Sequence, residues 1–452
     1  MWCVAQSVRP APTYIDGSPE TETRIAQCLA RASHESFGEA AHQHKTDPSA
    51  RALPPATRAA VASERALLRK TAAGTMKLLH VIVALNADGA ERMLQRLIES
   101  HIEDPRFRHV VCSLTTTGKI GEELAARGID VHSLGMRSPL GFPRALLCLV
   151  KLIREVRPDI IQTWMYHADF LGGLAGRLAA HKRIVWGVRT TDVRSGGSRV
   201  TVLLRKICAW LSYYVPQTIV CAAEASRRAH VSVGYDASRM MVVPNGFDVA
   251  RLSATPEQRR AIREQCGFDD RTIVVGILGR FHPVKDHQNF VRAAGMLAAR
   301  HPDVRFMLVG RDLDANNREL ADWIAQTGFA SRFVLVGERR DVPACLSAMD
   351  VFCLSSRTEG FPNVVGEAMA MALPCVVTDV GDAAMLVANT GVVVEKENSD
   401  ALAAGLSHVV DMTSDERVRL GQMAKARIHA EFTMMRARER FEDIYLRLVA
   451  EK

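Results

Sequence analysis

Short apolar runs alternate with amphipathic segments from residue 76 to about residue 400. The first run, 77–85, is followed by the segment 90–100, in which positions 93, 94, 97 and 98 are apolar. A continuous apolar run of this length is typical of a parallel strand that is buried on both faces. Spacings of three and four residues predict a helix that packs one face on that strand. The pattern therefore predicts an α/β fold of repeated βα units, and residues 400–452 are expected to be mostly helical.

The clearest of these units surrounds residues 355–379, with the sequence SSRTEGFPNVVGEAMAMALPCVVTD. An apolar run leads into a turn, a helix is predicted to begin near Asn363, and a second apolar run follows Pro374. In parallel sheets, ligands bind beyond the carboxyl ends of the strands, where this turn lies. Glu359 precedes the helix and Glu367 lies about one turn inside it, so two carboxylates flank a helix N-terminus suited to a phosphate. This arrangement suits a nucleotide-sugar, although from spacing alone a helix cap and an exposed carboxylate remain open as the alternative.

A second unit supplies positive charge after the apolar run 272–278. Its loop begins GRFHPVKDH, with the small Gly279 followed by Arg280 and Lys285, and a helix is predicted after it. Arginine can bind phosphate oxygens in a bidentate way, and lysine adds a mobile point charge. The loop therefore predicts an anion site, with two solvated basic residues as the alternative interpretation.

Three positions in the N-terminal half also follow predicted strands. Gly89 opens the first helix, where a small residue lets backbone approach a ligand, but the turn is not G-x-G-x-x-G and so disfavours an ordinary dinucleotide fold. His167 follows the predicted strand 159–163, and Arg189 follows 183–188. A lone histidine is otherwise a structural or surface residue, and Arg189 could meet a phosphate, an acceptor or a surface carboxylate.

Together these motifs resemble the retaining family 4 glycosyltransferases. The resemblance rests on the two glutamates separated by seven residues within EGFPN and GEAMA, the GR-x-x-x-x-KD loop, PNG-x-D at 244–248 and QTWMYHADFLGGLAGRLA. The last stretch is similar to a bacterial polysaccharide or lipopolysaccharide branch. The resemblance covers residue 77 to the C-terminus. It implies the GT-B fold, in which two doubly wound Rossmann-like domains face a cleft.

The resemblance also implies domain limits and roles. An acceptor-side domain would span 76–248, a nucleotide-sugar domain 249–430, and a last helix, 431–452, would return to the first domain. The catalytic candidates are His167, Arg280, Lys285 and Glu359. Glu359 and His167 would position the donor sugar, Arg280 and Lys285 would hold the leaving diphosphate, and Glu367 would bind the ribose. The donor-binding candidates are Gly89, Gly279, Arg280, Lys285, Glu359, Gly360, Phe361, Pro362, Asn363, Val364 and Glu367.

Asp88, Trp164 and Arg189 are the acceptor-side candidates. Asp88 replaces the first glycine of the family's GGAER turn, where its charge would oppose a pyrophosphate but could cap the helix or contact an acceptor hydroxyl. Ala372 and Leu373 stand before Pro374, where relatives often have a glycine. No D-x-D metal site with supporting context is present, so the resemblance implies metal-independent transfer, no cofactor, and a nucleotide-diphosphate sugar as co-substrate.

Composition narrows the class of protein. The 452 residues carry a formal charge of +8, and 48% are hydrophobic, as in globular proteins with large cores. Ten scattered cysteines without metal-ligand spacing are expected to be reduced core residues, and no apolar run reaches the length of a membrane span. No nucleic-acid motif is present, so the expected partners are a nucleotide-sugar and a saccharide or lipid-linked acceptor. A cytoplasmic location is expected, with the anionic inner membrane surface as a further partner.

Two segments allow more than one interpretation. Residues 1–75 lack a sustained apolar period and are predicted to be a disordered or dispensable extension, with a start codon chosen too far upstream as one explanation. A transit-like or membrane-contacting tail is the alternative. The predicted helix 199–215 places Leu203, Ile207 and Trp210 beside basic residues. We expect this stripe to be core, and contact with an anionic membrane is the alternative.

Three other functions remain open from the sequence. A glycoside hydrolase could use Glu359 and Glu367 as acid and nucleophile, but it would not need Arg280 and Lys285. A sugar-nucleotide epimerase or hydrolase of the same fold would release sugar and nucleotide without an acceptor. A catalytically impaired, membrane-associated scaffold would bind a donor without transferring its sugar. The transferase, which moves sugar into cell-surface polysaccharide or its lipid-linked precursors, is the favoured prediction.

Overall fold

The computed structural model describes residues 74–86, 89–191 and 199–451. The predicted extension therefore lies outside the described residues, except for Gly74 and Thr75. From Met76 onward the chain forms two parallel sheets, one after the other, and apolar side chains cover both faces of each sheet. This is the α/β fold that the sequence pattern predicts, in the two-domain GT-B architecture that the family resemblance implies.

The first sheet has seven parallel strands in the order β3-β2-β1-β4-β5-β6-β7. Its elements are β1 (Met76–Ile82), α1 (Gly89–Ser100), β2 (Phe107–Ser113), α2 (Gly118–Ala126), β3 (Asp130–Ser133), α3 (Phe142–Val156), β4 (Ile160–Trp164), α4 (Tyr166–Leu178), β5 (Ile184–Val188), α5 (Arg199–Leu211), β6 (Thr218–Cys221), α6 (Glu224–Val231) and β7 (Met240–Val242). Leu79 of the central strand pairs with Val110 of β2 and Ile161 of β4. The direction of strand addition reverses between β1 and β4, which makes this pair a topological switch point.

The second sheet has six parallel strands in the order β10-β9-β8-β11-β12-β13. Its elements are α7 (Pro256–Gln265), β8 (Ile273–Leu278), α8 (His287–Arg300), β9 (Val304–Val309), α9 (Arg318–Gln326), β10 (Phe333–Gly337), α10 (Val342–Ala348), β11 (Val351–Leu354), α11 (Asn363–Ala370), β12 (Cys375–Thr378), α12 (Ala383–Val387), β13 (Gly391–Val394), α13 (Ser399–Val410), α14 (Ser414–Glu431) and α15 (Met434–Ala450). Its switch point lies between β8 and β11.

The last helix, α15, returns to the first sheet. Phe441 and Tyr445 are fully buried there, in the same cluster as Trp164 of β4. The Tyr445 hydroxyl donates a hydrogen bond to Gln162 of that strand. Burial of two large aromatic side chains stabilises this docking by several kcal/mol (about 1.5–3 for each). The predicted return of the C-terminal helix is therefore confirmed.

Most strand positions match the sequence pattern, but three helices differ. The Gly- and Ala-rich stretch after His167 predicts a helix from residue 170, but α4 begins at Tyr166, because Met165 has a positive φ of 75° that turns the chain directly from β4 into the helix. The sequence pattern did not predict α6. Helix α5 ends at Leu211, and the expectation that its apolar stripe is core is wrong for Leu203, Ile207 and Trp210, which are all exposed.

Candidate active site

Lys285 and Glu359 meet at the switch point of the second sheet. Lys285 lies in the loop after β8 and Glu359 in the turn after β11, and these two strands are neighbours. Lys285 Nζ is 2.6 Å from Glu359 Oε1, and the Ser356 hydroxyl donates to the same oxygen at 2.7 Å. The carboxylate is thus held by two donors at the carboxyl edge of the sheet, as the sequence predicts for its position.

Two further contacts join the loop and the turn. Arg357 binds Asp286 with two nitrogens, Nε at 2.9 Å from Oδ2 and Nη2 at 3.0 Å from Oδ1. The Ser355 hydroxyl donates to the carbonyl of Lys285 at 2.8 Å. Bidentate arginine–carboxylate pairs fix orientation as well as distance. Lys285 is therefore held in place through its own backbone and through its neighbour Asp286.

Arg280 differs from Lys285, because among the described residues it has no partner. It follows Gly279 at the end of β8, its side chain is exposed, and it makes no hydrogen bond or ion pair with the residues that the structure describes. Gly279 lies beside Lys285, since a Cβ there would be in ordinary van der Waals contact with the Lys285 side chain, at 3.6 Å. The loop therefore presents two cations at the same sheet edge: Lys285, which is held in place, and Arg280, which has no partner within the described part of the chain.

Helix α11 begins at Asn363, directly after Pro362, as the sequence predicts. Phe361 is buried, and its ring lies 6.1 Å from that of Phe247. Gly366 is required here, because a Cβ at that position would come within 2.0 Å of the Phe247 ring. Of the predicted donor-binding residues in this turn, Phe361 and Pro362 are buried, whereas Asn363 and Val364 remain partly exposed.

Glu367 faces the first domain. Its Oε1 lies 3.6 Å from Nη2 of Arg96 on α1, and Nη1 of Arg96 donates to the carbonyl of Gly246 at 3.4 Å. Burial raises the pKa of Glu367, and the nearby Arg96 opposes that rise. The sequence interpretation did not include Arg96, although its place one turn after Arg92 on the helix that Gly89 opens was a usable signal.

The N-termini of α1 and α11 face each other. A Cβ on Gly89 would lie 3.7 Å from the side-chain amide nitrogen of Asn363. Asn363 also accepts a hydrogen bond from Asn245 at 2.9 Å, and Asn245 in turn accepts one from Arg189 at 3.1 Å. A series of hydrogen bonds thus connects the first domain to the start of α11. Asp88 lies outside the described residues.

Arg189 lies against the aromatic core rather than on the open surface. Its guanidinium carbon is 4.7 Å from the ring centroid of Trp164 and 5.5 Å from that of Phe441. Burial lowers the pKa of Arg189 to about 10, so it stays charged at neutral pH. Trp164 itself is fully buried and donates to His80 at 3.3 Å. Its predicted acceptor-side role therefore needs correction, because its ring supports Arg189 and does not line the cleft.

His167 lies in the first turn of α4, beyond the carboxyl end of β4. Its side chain is partly buried, which lowers the pKa of the imidazole, and it has no hydrogen-bond partner among the residues described. A neutral imidazole can accept or donate a hydrogen bond to a sugar hydroxyl. His167 and Gly89 share the switch point of the first sheet, just as Lys285 and Glu359 share that of the second.

Asp382 joins the two domains directly beside the Glu359 turn. Its carboxylate accepts the backbone N–H groups of Glu224 at 2.7 Å and Ala225 at 2.8 Å, at the start of α6. Its own N–H donates to the carbonyl of Gly360 at 2.9 Å. Gly360 is also close to the first domain, since a Cβ there would lie 3.2 Å from the Thr191 hydroxyl.

Comparison with known families agrees with this geometry. The model "Glycosyltransferase Family 4" matches residues 87–251, and the model "Glycosyl transferases group 1" matches residues 272–412. The chain belongs to glycosyltransferase family 4. This enzyme is 26% identical over 318 residues to the UDP-Gal:alpha-D-GlcNAc-diphosphoundecaprenol alpha-1,3-galactosyltransferase of Escherichia coli, covering 68% of this chain and 80% of that protein.

Two other relatives are also similar to this glycosyltransferase. A GDP-mannose-dependent monoacylated alpha-(1-6)-phosphatidylinositol monomannoside mannosyltransferase of Corynebacterium glutamicum is 31% identical over 200 residues, which are 42% of this chain and 51% of that protein. The structure of Anabaena HepE in complex with UDP superposes with a TM-score of 0.72 at 22% identity, over 81% of this chain and 99% of that one. The structural match supports the GT-B fold.

The described part of the chain lacks side-chain clusters for a metal ion and helices that could span a membrane. Within 74–86, 89–191 and 199–451, no group of three His, Cys, Asp or Glu side chains is arranged to hold a metal ion. Over the same residues, no helix has the length and apolar character needed to cross a bilayer.

Proposed function

We propose that this glycosyltransferase moves a sugar, with retention of anomeric configuration and without a metal ion, from a nucleotide-diphosphate sugar to a saccharide or lipid-linked acceptor. The observation that carries the proposal is the contact between Lys285 and Glu359 at the second switch point, in the same loop as the exposed Arg280. The start of α11 completes a site with two cations, a helix N-terminus and two carboxylates. Such a site suits a sugar at one end, a diphosphate at the centre and a ribose at the other.

The chemistry follows from where charge develops. When the bond between the anomeric carbon and the diphosphate oxygen breaks, negative charge grows on the nucleoside diphosphate. Arg280, Lys285 and the free amides of α11 stabilise this charge without reorganisation of solvent. The acceptor oxygen forms its bond to the anomeric carbon on the same face, and its proton passes to the departing phosphate oxygen. Glu359 orients the sugar, and no enzymic nucleophile is required.

The acceptor and its biological setting are part of the proposal. The E. coli relative is named for a diphosphoundecaprenol acceptor, and the C. glutamicum relative for a phosphatidylinositol mannoside. Both names describe lipid-linked saccharides. HepE is described in complex with UDP-glucose in a further structure. These relatives support a lipid-linked acceptor, and we extend the proposal to the synthesis of cell-surface polysaccharide or glycolipid at the cytoplasmic face of a membrane.

Calorimetric titration of the full-length protein with UDP, GDP, ADP and CMP, each with and without EDTA, tests the donor site. We expect one diphosphate to bind, insensitively to EDTA, and binding to be lost in the double variant Arg280→Ala plus Lys285→Ala. Arg300→Ala, at an exposed basic residue in the last turn of α8, is the matched control. A folded sample that binds none of the four nucleotides, or binds only before EDTA is added, would contradict the proposal.

Transfer is tested separately with the sugar forms of the nucleotide that binds. Labelled donor is incubated with the protein and either a lipid extract or a soluble oligosaccharide mixture. Label in the lipid or oligosaccharide fraction, with the anomeric configuration of the donor, is the expected result. Release of free sugar at the same rate with and without acceptor would instead indicate a hydrolase or epimerase.

A further inference from the structure

Helix α5 exposes an apolar face to solvent. Its large side chains recur at intervals of three and four residues, so they share one side of the helix and of the turn after it. We call this set the α5 face: Val200, Leu203, Ile207, Trp210 and Tyr214. Their exposed fractions lie between 36% and 65%, whereas Leu204 and Cys208 on an adjacent side are buried in the core of the first domain. The helix therefore has two apolar sides, and the core covers only one of them.

The exposed residues are large and clustered rather than scattered. The rings of Trp210 and Tyr214 lie 5.6 Å apart. Arg177 of α4 donates to the carbonyl of Tyr214 at 2.5 Å, and Arg154 of α3 donates to the carbonyl of Leu178 at 3.4 Å. Leu178 is itself more than half exposed. Arginines of two neighbouring helices thus border the apolar cluster, which is larger than the single exposed side chains common on protein surfaces.

The stretch of sequence that contains α5 is strongly basic. Between residues 170 and 223 the sequence has eight Lys and Arg but a single acidic residue, Asp192. This segment therefore holds most of the excess positive charge of the chain, whose formal total is +8. Arg199 and Lys206, on α5 itself, are exposed. A partner for this surface has to accept apolar and aromatic side chains and also carry negative charge.

We propose that the α5 face, with Arg199 and Lys206, is the surface on which the protein docks to an anionic lipid bilayer. Tryptophan and tyrosine combine an apolar ring with a polar group and favour the interface between lipid and water. Basic groups beside them bind anionic headgroups, and the apolar stripe enters the acyl boundary. No acidic side chain lies within α5 to oppose that approach.

The location of α5 relates this docking to the binding of the acceptor. Thr191, eight residues before the helix begins, lies beside Gly360 of the donor-binding turn. The α5 face is itself part of the domain that is proposed to bind the acceptor, because α5 lies between β5 and β6 of the first sheet. A bilayer at this surface would hold a lipid-linked acceptor near the cleft. This part of the inference rests on the proposed function, whereas the docking itself does not.

Co-sedimentation of the full-length protein with vesicles tests the docking. One vesicle preparation contains phosphatidylcholine alone and the other adds phosphatidylglycerol, and neither contains acceptor or donor. We expect stronger binding to the second preparation. Leu203→Gln plus Trp210→Gln should weaken it by roughly ten-fold or more, since two exposed apolar side chains that would enter the bilayer are lost. Arg199→Gln plus Lys206→Gln should weaken it by about five-fold for each charge removed, and added salt should mimic that loss.

Matched controls make the same exchanges elsewhere. Val418→Gln plus Met435→Gln removes two apolar side chains of similar exposure from α14 and α15. Arg300→Gln plus Arg318→Gln removes two exposed charges from the second domain. Both controls should bind vesicles like the unmodified protein. Because all these side chains are exposed, thermal unfolding and nucleotide binding should be unchanged in every variant.

Three outcomes would overturn the proposal. The first is equal, weak binding to both vesicle preparations. The second is vesicle binding that the α5 variants retain in full. The third is a dimer in sedimentation velocity that Leu203→Gln plus Trp210→Gln dissociates, which would assign the α5 face to a second copy of the chain. Since vesicle binding is measured without substrate, its failure leaves the proposed transferase activity untouched, and the failure of transfer leaves docking untouched.

Discussion

Lys285 and Glu359 are 74 residues apart in the sequence, yet their side chains are joined by a contact of 2.6 Å between Nζ and Oε1. The contact exists because β8 and β11 are neighbours, so that the loops after both strands meet at one edge of the sheet. Lys285 carries a positive charge that can bind a diphosphate, and Glu359 carries oxygens that can accept hydrogen bonds from sugar hydroxyls. The pair thus marks the boundary between the diphosphate and sugar ends of the proposed donor site.

Substitutions in this pair should separate binding from transfer. Lys285→Ala removes a charged donor to phosphate and should weaken nucleoside diphosphate binding by about ten- to a hundred-fold. Glu359→Gln keeps the shape of the side chain and the Ser356 contact, so nucleotide affinity should stay within about two-fold while kcat falls about a hundred-fold or more. Calorimetry and a transfer assay measure the two quantities. Glu319→Gln, at an exposed carboxylate of α9, is the control, and equal losses of affinity in both site variants would contradict this division of roles.

Ala372 occupies a conformation that favours glycine. Its φ is +62°, in the turn between α11 and β12, and its carbonyl lies under Gly421 of α14. An L-residue in this region destabilises the folded protein by about 1–2 kcal/mol. Glycine removes this strain, but its greater conformational freedom in the unfolded chain offsets part of the gain. Ala372→Gly should therefore raise the free energy of unfolding by about 1 kcal/mol.

The matched control places the same exchange in a helix. Ala426 is exposed in the middle of α14, and Ala426→Gly should lower the free energy of unfolding by about 1 kcal/mol. Urea titration of both variants measures the two changes. Loss of stability in both would show that the strain at Ala372 is not released by glycine.

Buried histidines should make stability depend on pH. His80 and His109 share a hydrogen bond of 2.9 Å between Nε2 and Nδ1, and the ring of His101 stacks on His109 beside Glu442 of α15. Burial lowers the pKa of His80 from 6.5 to about 3. His80 therefore binds a proton near pH 6.5 in the unfolded chain but only near pH 3 in the folded chain. The stability from this group is complete above pH 6.5 and is lost as pH falls toward 3.

For His80 alone the expected loss is about 2 kcal/mol between pH 7.5 and pH 5. Urea unfolding at these two pH values measures the loss, and His80→Gln, which keeps an acceptor for Trp164, should reduce it. His429, an exposed histidine on α14, provides the control variant His429→Gln, which should leave the difference unchanged. A pH dependence that is identical in the unmodified protein and in His80→Gln would assign the effect to other groups.

The sequence predicted local features well because their signals are local. The positions 93, 94, 97 and 98, which the helical period marks as apolar, are the buried residues of α1. The start of α11 at Asn363 follows from Pro362 before it. The meeting of the Lys285 loop with the Glu359 turn follows from strand order, which the family pattern supplies.

Other features have no local signal. The Arg96–Glu367 pair and the Asn245–Asn363 hydrogen bond join positions that are far apart in the sequence, and each partner alone resembles an ordinary surface residue. The period of α5 shows which residues share a side of the helix, but it does not show which side the sheet covers. Trp164 was placed near the acceptor from its motif, whereas its burial depends on α15, more than 270 residues later.

Asp382 is the residue through which the donor-binding turn and the first domain are most directly coupled. Its N–H binds Gly360, next to Glu359, while its carboxylate caps α6 across the cleft at 2.7 and 2.8 Å. Asp382→Ala removes the cap, which should lower the free energy of unfolding by about 1 kcal/mol and leave two N–H groups without an acceptor. The Gly360 bond uses backbone and survives, so nucleotide affinity should stay within about two-fold.

Sugar transfer should be more sensitive to Asp382→Ala than nucleotide binding is, because transfer requires the two domains to be correctly aligned. We expect kcat/KM to fall about five- to thirty-fold in Asp382→Ala, and less in Asp382→Asn, which keeps one acceptor oxygen. Asp379→Ala, three positions earlier and exposed, is the control and should behave like the unmodified protein. If Asp382→Ala weakened nucleotide binding as much as transfer, the carboxylate would be supporting the donor turn itself. An unchanged kcat/KM would instead mean that the two domains are aligned by the Asn245–Asn363 bond without help from Asp382.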